Sequence, residues 1–203
     1  GYESFGMLAG PDELGLSSDH NYIAEVDESL GRPGAALVEV FDLNDKILDI
    51  ENKSLTHRPD TFGLIGFARE VSGILGQKFS EPVSFDQTVD GLSDEISIEI
   101  ADEKLCPRYS ACLVNVSDLN LANPVSPEFS DLYSMTKDSV LLAKSGMNSV
   151  NPIVDATNLT MLELGQPLHA FDYDKFVKIG GLDHAKIIVR AARTGESLTL
   201  LDG

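Results

Sequence analysis

The stretch "NPIVDATNLTMLELG", residues 151–165, constrains the fold more than any other in the chain. Asn151 can accept hydrogen bonds from the first-turn N–H groups of a helix, and Pro152 carries the fixed φ that suits the first helical position. Gly165 can take the left-handed backbone that closes a last turn. A helix from Pro152 to Leu164 is the consequence, with Ile153, Val154, Met161 and Leu164 as its expected packing residues. That helix delivers the chain to "QPLHAFD", which holds Gln166, His169 and Asp172.

The flanking text supplies further elements. Residues 1–34 are punctuated by "GPDELGL" and "LGRPG" and suggest short elements joined by loops. "ALVEVFDL" alternates Val38 and Val40 against Glu39, and with "KILDIEN" after the Asn44–Asp45 turn it predicts two strands, compatible with a hairpin. "HRPDTFGLIGFAREVSGILG" predicts a helix with Asp60 as N-cap and Gly76 at its end. Its packed face would be Leu64, Ile65, Ala68, Val71 and Leu75, with Arg69 and Glu70 pointing away. "KFSEPVSFDQTVDGLSD" has no period and reads as a connection between domains, with the boundary near residue 90. "EISIEI" alternates strictly, as a strand with one wet face does. "RYSACLVNV", "KIIVRAA" and "SLTLLDG" are further expected strands, and "DSVLLAKSG" a short helix. The fold class expected is α+β, with strands and helices in mixed order in at least two small domains.

Charge narrows the function. Thirty-three acidic against 15 basic residues give a formal net charge of −18, so the mean field of the chain repels phosphate. Nucleic-acid contact would have to be local, or supported by other parts of an assembly. No stretch approaches the ~20 apolar residues of a membrane span, and "GYESFGMLAG" lacks the features of a signal peptide, which implies a cytoplasmic protein. Cys106 and Cys112 have the spacing of neither a zinc knuckle nor a disulfide framework and are expected as reduced thiols. The absence of an initiator Met and the end on "LTLLDG" suggest a piece of a longer chain.

Asp155, His169 and Asp172 are metal-ligand types, yet His20, His57, His169 and His184 include no pair at helical ligand spacing, and the carboxylates serve equally as caps and turn formers. No nucleophile elbow and no phosphate loop is present; "GRPGAA" has neither the P-loop Lys nor a preceding strand. What remains is a polar cluster of Asp155, Thr157, Asn158, Gln166 and His169. Spacing alone favours a structural role for it. Asp155 and Asn158 would satisfy backbone groups, and His169 would be a buried, hydrogen-bonded core residue beside Phe171.

The longer motifs point elsewhere. "NPIVDATNLTMLELGQPLHAFDYDK" closely resembles the central segment of the bacterial phenylalanyl-tRNA synthetase beta subunit family, and "RAARTGESLTLLDG" resembles the next segment of that family. "CPRYSACLVNV" resembles the opening strand of the same domain, "THRPDTFGLIGFAREVSGILG" the small domain before it, and "GMLAGPDELGL" the tail of an OB-type tRNA-binding module. Two features depart from the family: "SPEFSDLYSMTKDSVLLAKSGM" is longer than the usual segment, and His57 stands where Asn is common.

The resemblance implies three parts: residues 1–40 as the tail of the OB-type module, 41–90 as a small α+β domain, and 91–203 as the N-terminal part of a tRNA-editing domain. That domain hydrolyses tyrosine wrongly attached to the phenylalanine tRNA. Phe and Tyr differ by one hydroxyl, which an apolar pocket rejects by only about a hundredfold, so a second site is needed. Carried over by position, His169 is the catalytic candidate, positioning water or the ribose hydroxyl. Thr157 and Asn158 line the pocket for the ester or sugar. The family's acidic residue that senses the tyrosine hydroxyl, and a glycine-rich segment beside it, would lie beyond Gly203. The implied partners are the alpha subunit and the tRNA acceptor end. No cofactor is implied on this chain; ATP and magnesium belong to aminoacylation on the alpha subunit. The competing reading is a non-catalytic RNA-binding or subunit-scaffolding module whose polar cluster is structural.

Overall fold

The computed structural model describes residues 3, 5–16, 20–82, 94–116 and 132–199, with only the backbone of residues 132–134. In chain order it holds β1 (Ile23–Val26), α1 (Leu37–Val40), 3-10 turns at Lys53–Leu55 and Pro59–Phe62, and α2 (Leu64–Ile74). β2 (Ile96–Ile100), β3 (Leu132–Met135), α3 (Lys137–Lys144), α4 (Pro152–Leu164), α5 (Tyr173–Gly180) and β4 (Ala185–Val189) come after these. Helices and short strands in mixed order make the class α+β, as the sequence predicts.

The chain forms two units, one from residues 1–84 and 120–170, the other from 85–119 and 171–203. The expected division at residue 40 falls at the end of α1, and the one near residue 90 lies outside the described residues.

In the first unit, β1 and β3 pair in parallel, from Ile23 opposite Leu132 to Val26 opposite Met135. Leu16, Phe41, Met135 and Val140 form its buried cluster, with Leu37, Val40 and Ala143 packed around it. α3 enters this core because its start is sharply defined. Thr136 accepts the Ser139 N–H at 3.0 Å while the Ser139 hydroxyl accepts the Thr136 N–H at 2.9 Å, a reciprocal cap. Val140 and Leu142 are then turned inward, Leu142 completely.

α4 has the predicted ends. Asn151 is extended, and its side chain accepts from Ile153 at 3.1 Å and Val154 at 3.0 Å. Gly165, at φ 71°, donates its N–H to the Met161 carbonyl at 2.8 Å. α4 packs on α2, on α3 and on the turn at Pro59–Phe62.

In the second unit, β2 and β4 pair in parallel, Ile96 opposite Ala185 through Ile100 opposite Val189. α5 packs on β4, and the Tyr173 hydroxyl donates to the Glu95 carbonyl at 3.3 Å. Lys186 pairs with Glu99 at 2.8 Å across the two strands. Beyond β4, Arg190 grips Glu196 through both guanidinium nitrogens at 2.7 and 2.8 Å. That bidentate bond, with a further one from the Arg193 N–H, holds the Glu196 carboxyl down at about 2.

Several expectations are corrected. "ALVEVFDL" is not a strand: Leu37–Val40 is one helical turn, with Leu37, Val40 and Phe41 facing the core at helical spacing. A four-residue window of alternating residues cannot separate period 2 from period 3.6. Residues 43–50 form no strand, nor do 108–116 or the described part of "SLTLLDG", 197–199. Apolar alternation makes a strand only where a partner edge supplies hydrogen bonds, and β2 and β4 pair with each other. α2 starts at Leu64 with Gly63 as N-cap, because Asp60 belongs to the 3-10 turn before it. On α2, Leu64 is 61% exposed and Leu75 is 65% exposed, whereas Gly66 is buried. Glu70, expected to point away, is half-buried and bonded to Arg58.

Candidate functional site

Thr157 and Asn158 are consecutive, half-buried residues in the middle of α4. The Thr157 hydroxyl donates to the Val154 carbonyl at 2.7 Å, which leaves its oxygen as an acceptor. Among the described residues, the Asn158 side chain makes no hydrogen bond, so its amide can offer both donor and acceptor to a ligand. Asp155 is different. It is buried, and it accepts from the Ser149 hydroxyl at 2.5 Å and the Val150 N–H at 2.8 Å, tying α4 to the segment before it.

His169 stands four residues beyond the Gly165 cap and is exposed, as is Phe171 at 52%. This corrects the expectation of a buried core histidine: residues 166–172, the chain leaving α4, are all exposed. The Phe171 ring instead meets that of Phe176 at 5.2 Å. Gln166 is also exposed, its amide donating to the Pro167 carbonyl at 3.3 Å. Asp172 caps α5, accepting the Lys175 N–H at 3.0 Å; that backbone bond, with the Lys175 ammonium, keeps its carboxyl below the ordinary range. Asp155 and Asp172 are therefore committed to local structure, and among the described residues no three His, Cys, Asp or Glu side chains converge as metal ligands.

The end of α4 is set against the start of α2 by backbone contact. A Cβ on Gly63 would lie 2.3 Å from the Gly165 nitrogen, 2.5 Å from the Leu164 carbonyl carbon and 2.8 Å from the Glu163 oxygen. From the other side, a Cβ on Gly165 would lie 2.9 Å from the Pro59 oxygen and 3.1 Å from the Gly63 nitrogen. Gly66 lets the same turn fold back, since a Cβ there would fall 1.8 Å from the Asp60 oxygen. Three glycines thus allow two close approaches of main chain to main chain, the end of α4 against the turn and the turn against the first residues of α2.

Arg58 staples this turn. Its Nε and Nη2 bond both Asp60 oxygens at 3.0 and 2.8 Å, and Nη1 reaches Glu70 on α2 at 3.1 Å. The two carboxylates raise the Arg58 pKa further above its ordinary value, Asp60 contributing most. Sequence reasoning did not single out Gly63, Gly66 or Arg58. The available signal was two glycines, Gly63 and Gly66, in the first part of a helical pattern, where each weakens the helix relative to Ala.

Residues 135–203, which include α4, Gly165 and His169, match the B3/4 domain. The class of protein is therefore that of the B3/4-containing chains. Over its full length the chain is 38% identical to the phenylalanine–tRNA ligase beta subunit of Desulfotalea psychrophila, 39% identical to that of Solibacter usitatus and 35% identical to that of Thermotoga maritima. Each match takes in 100% of this chain and 22% or 23% of the relative. The chain belongs to the phenylalanine–tRNA ligase beta subunit family, and it spans less than a quarter of the length of these relatives.

Proposed function

We propose that this chain is the part of a phenylalanine–tRNA ligase beta subunit that presents one wall of a hydrolytic editing site for tyrosine mischarged on the phenylalanine tRNA. The observation that carries the reading is the pairing of a ligand-ready Thr157 and Asn158 on α4 with an exposed His169 on the loop that the same helix launches. A buried histidine could not meet a tRNA end; an exposed one can. With its proton committed to Val154, Thr157 suits a donor on the substrate, a ribose hydroxyl or the aminoacyl ammonium, while Asn158 can serve the ester. His169 orients the attacking water or the ribose hydroxyl. The acceptor end of the tRNA is the ligand, and the alpha subunit the partner that brings it. ATP and magnesium belong, in this reading, to aminoacylation on the alpha subunit. The net charge of −18 fits a surface that receives only the end of an RNA held elsewhere.

The competing scaffold reading draws on Asp155, whose bonds are wholly structural. His169→Ala separates the two. In the assembled ligase it should slow deacylation of Tyr-tRNA by about 100-fold, the scale of a lost positioning contact, with Phe-tRNA synthesis unchanged. Deacylation at the wild-type rate would leave the scaffold reading standing.

A further inference from the structure

Resting on that reading of the site, we infer that Gly63 is a positioning residue for the His169 loop, acting through the C-terminal end of α4. Its backbone, at φ −117° and ψ 153°, is open to any residue, so conformation does not demand glycine there. Space does. The atoms a Cβ would strike are all main chain of residues 163–165, and none can rotate aside.

One side of the contact must therefore move as a body, and the turn is the stiffer side. Arg58 ties it to Asp60 and Glu70, and the Asp60 carbonyl lies against Gly66. α4 is anchored at its other end, by the Asn151 cap and by Asp155 holding Ser149 and Val150. Displacement is thus concentrated at Gly165 and passes to His169, while Thr157 and Asn158, nearer the anchor, stay in place. Separating one set of groups from the other lowers turnover and leaves binding little changed, since a misplacement of about 1 Å can cost about 100-fold in rate.

The test is Gly63→Ala in the full beta subunit assembled with its partner. Deacylation of Tyr-tRNA is measured as kcat and KM, and labelling of His169 by diethylpyrocarbonate is followed by mass spectrometry, with His20 and His184 as internal references. The expected result is kcat lower by about 100-fold, KM within about twofold and a His169 labelling rate changed by about threefold or more, the references constant. Leu16→Ala, which opens the buried cluster with Phe41 and Met135 and adds nothing at the Gly63–Gly165 contact, should lower stability without altering either readout. Arg58→Gln adds no atoms and loosens the staple; it should move the same two readouts in the same direction by a smaller factor, and it serves where Gly63→Ala does not fold. Unchanged His169 labelling in the variants that fold overturns the inference. A shifted His169 in Gly63→Ala together with wild-type deacylation in His169→Ala sinks the editing reading and leaves the positioning role intact.

Discussion

Helices α4 and α5 both stop at a glycine in the left-handed region, Gly165 at φ 71° and Gly181 at φ 64°, and each accepts its first N–H groups on an Asn or Asp side chain. On paper they are the same device. In the folded chain a Cβ on Gly181 would meet nothing within 4 Å, whereas one on Gly165 would press on Pro59 and Gly63. A glycine cap that faces solvent only ends a helix. One that is packed also fixes where the following loop begins, and it is the packed one that leads to His169.

Giving both caps a side chain should separate them most. Gly165→Ala should lose roughly 3 kcal/mol in denaturant unfolding, about 1–2 from the left-handed backbone and the remainder from contact with Pro59 and Gly63. Gly181→Ala should lose only the backbone share, about 1–2 kcal/mol. Equal losses would mean that the Gly63–Gly165 approach is not tight in solution.

The N-terminal caps give a smaller contrast. Asn151→Ala removes an acceptor for two N–H groups and should cost about 1 kcal/mol; Asp172→Ala removes an acceptor for one, in an exposed setting, and should cost less. The smallest effect is on pH dependence. The Asp172 carboxyl is depressed in the folded chain, so its contribution to α5 is complete above the ordinary value of 3.8 and drains away as the pH falls through the lowered folded value. Asn151 carries no titrating proton, so α4's cap should not follow. Carboxyl and amide NMR shifts through acid titration would show whether the Lys175 N–H signal moves with Asp172 while those of Ile153 and Val154 ignore Asn151.

Much of this was legible because short-range chemistry carries it. The bounds of α4, the glycine at the end of α2 and the strands at β2 and β4 follow from caps, backbone freedom and alternation, none of which needs a distant residue. Among the site residues, Thr157, Asn158 and His169 stood out through resemblance, while their spacing favoured a buried histidine. The misses lie where distant residues decide. Val38 and Val40 alternate like a strand, but Phe41 has the buried cluster to face and the segment turns as a helix. Cys112, Leu113 and Val114 look like a strand interior, yet no edge in the described structure pairs with them.

Residue identity alone was enough to set where α4 begins and ends and which side chains stand in the loop after Gly165. Caps and left-handed glycines act within a few residues, so local identity suffices for them. Packing between distant segments set the rest: Gly63, rather than Leu64, is buried at the α2 start, and His169 is exposed. Those outcomes depend on which main-chain atoms approach across about a hundred intervening residues, and a glycine announces only that something can come close, not what does.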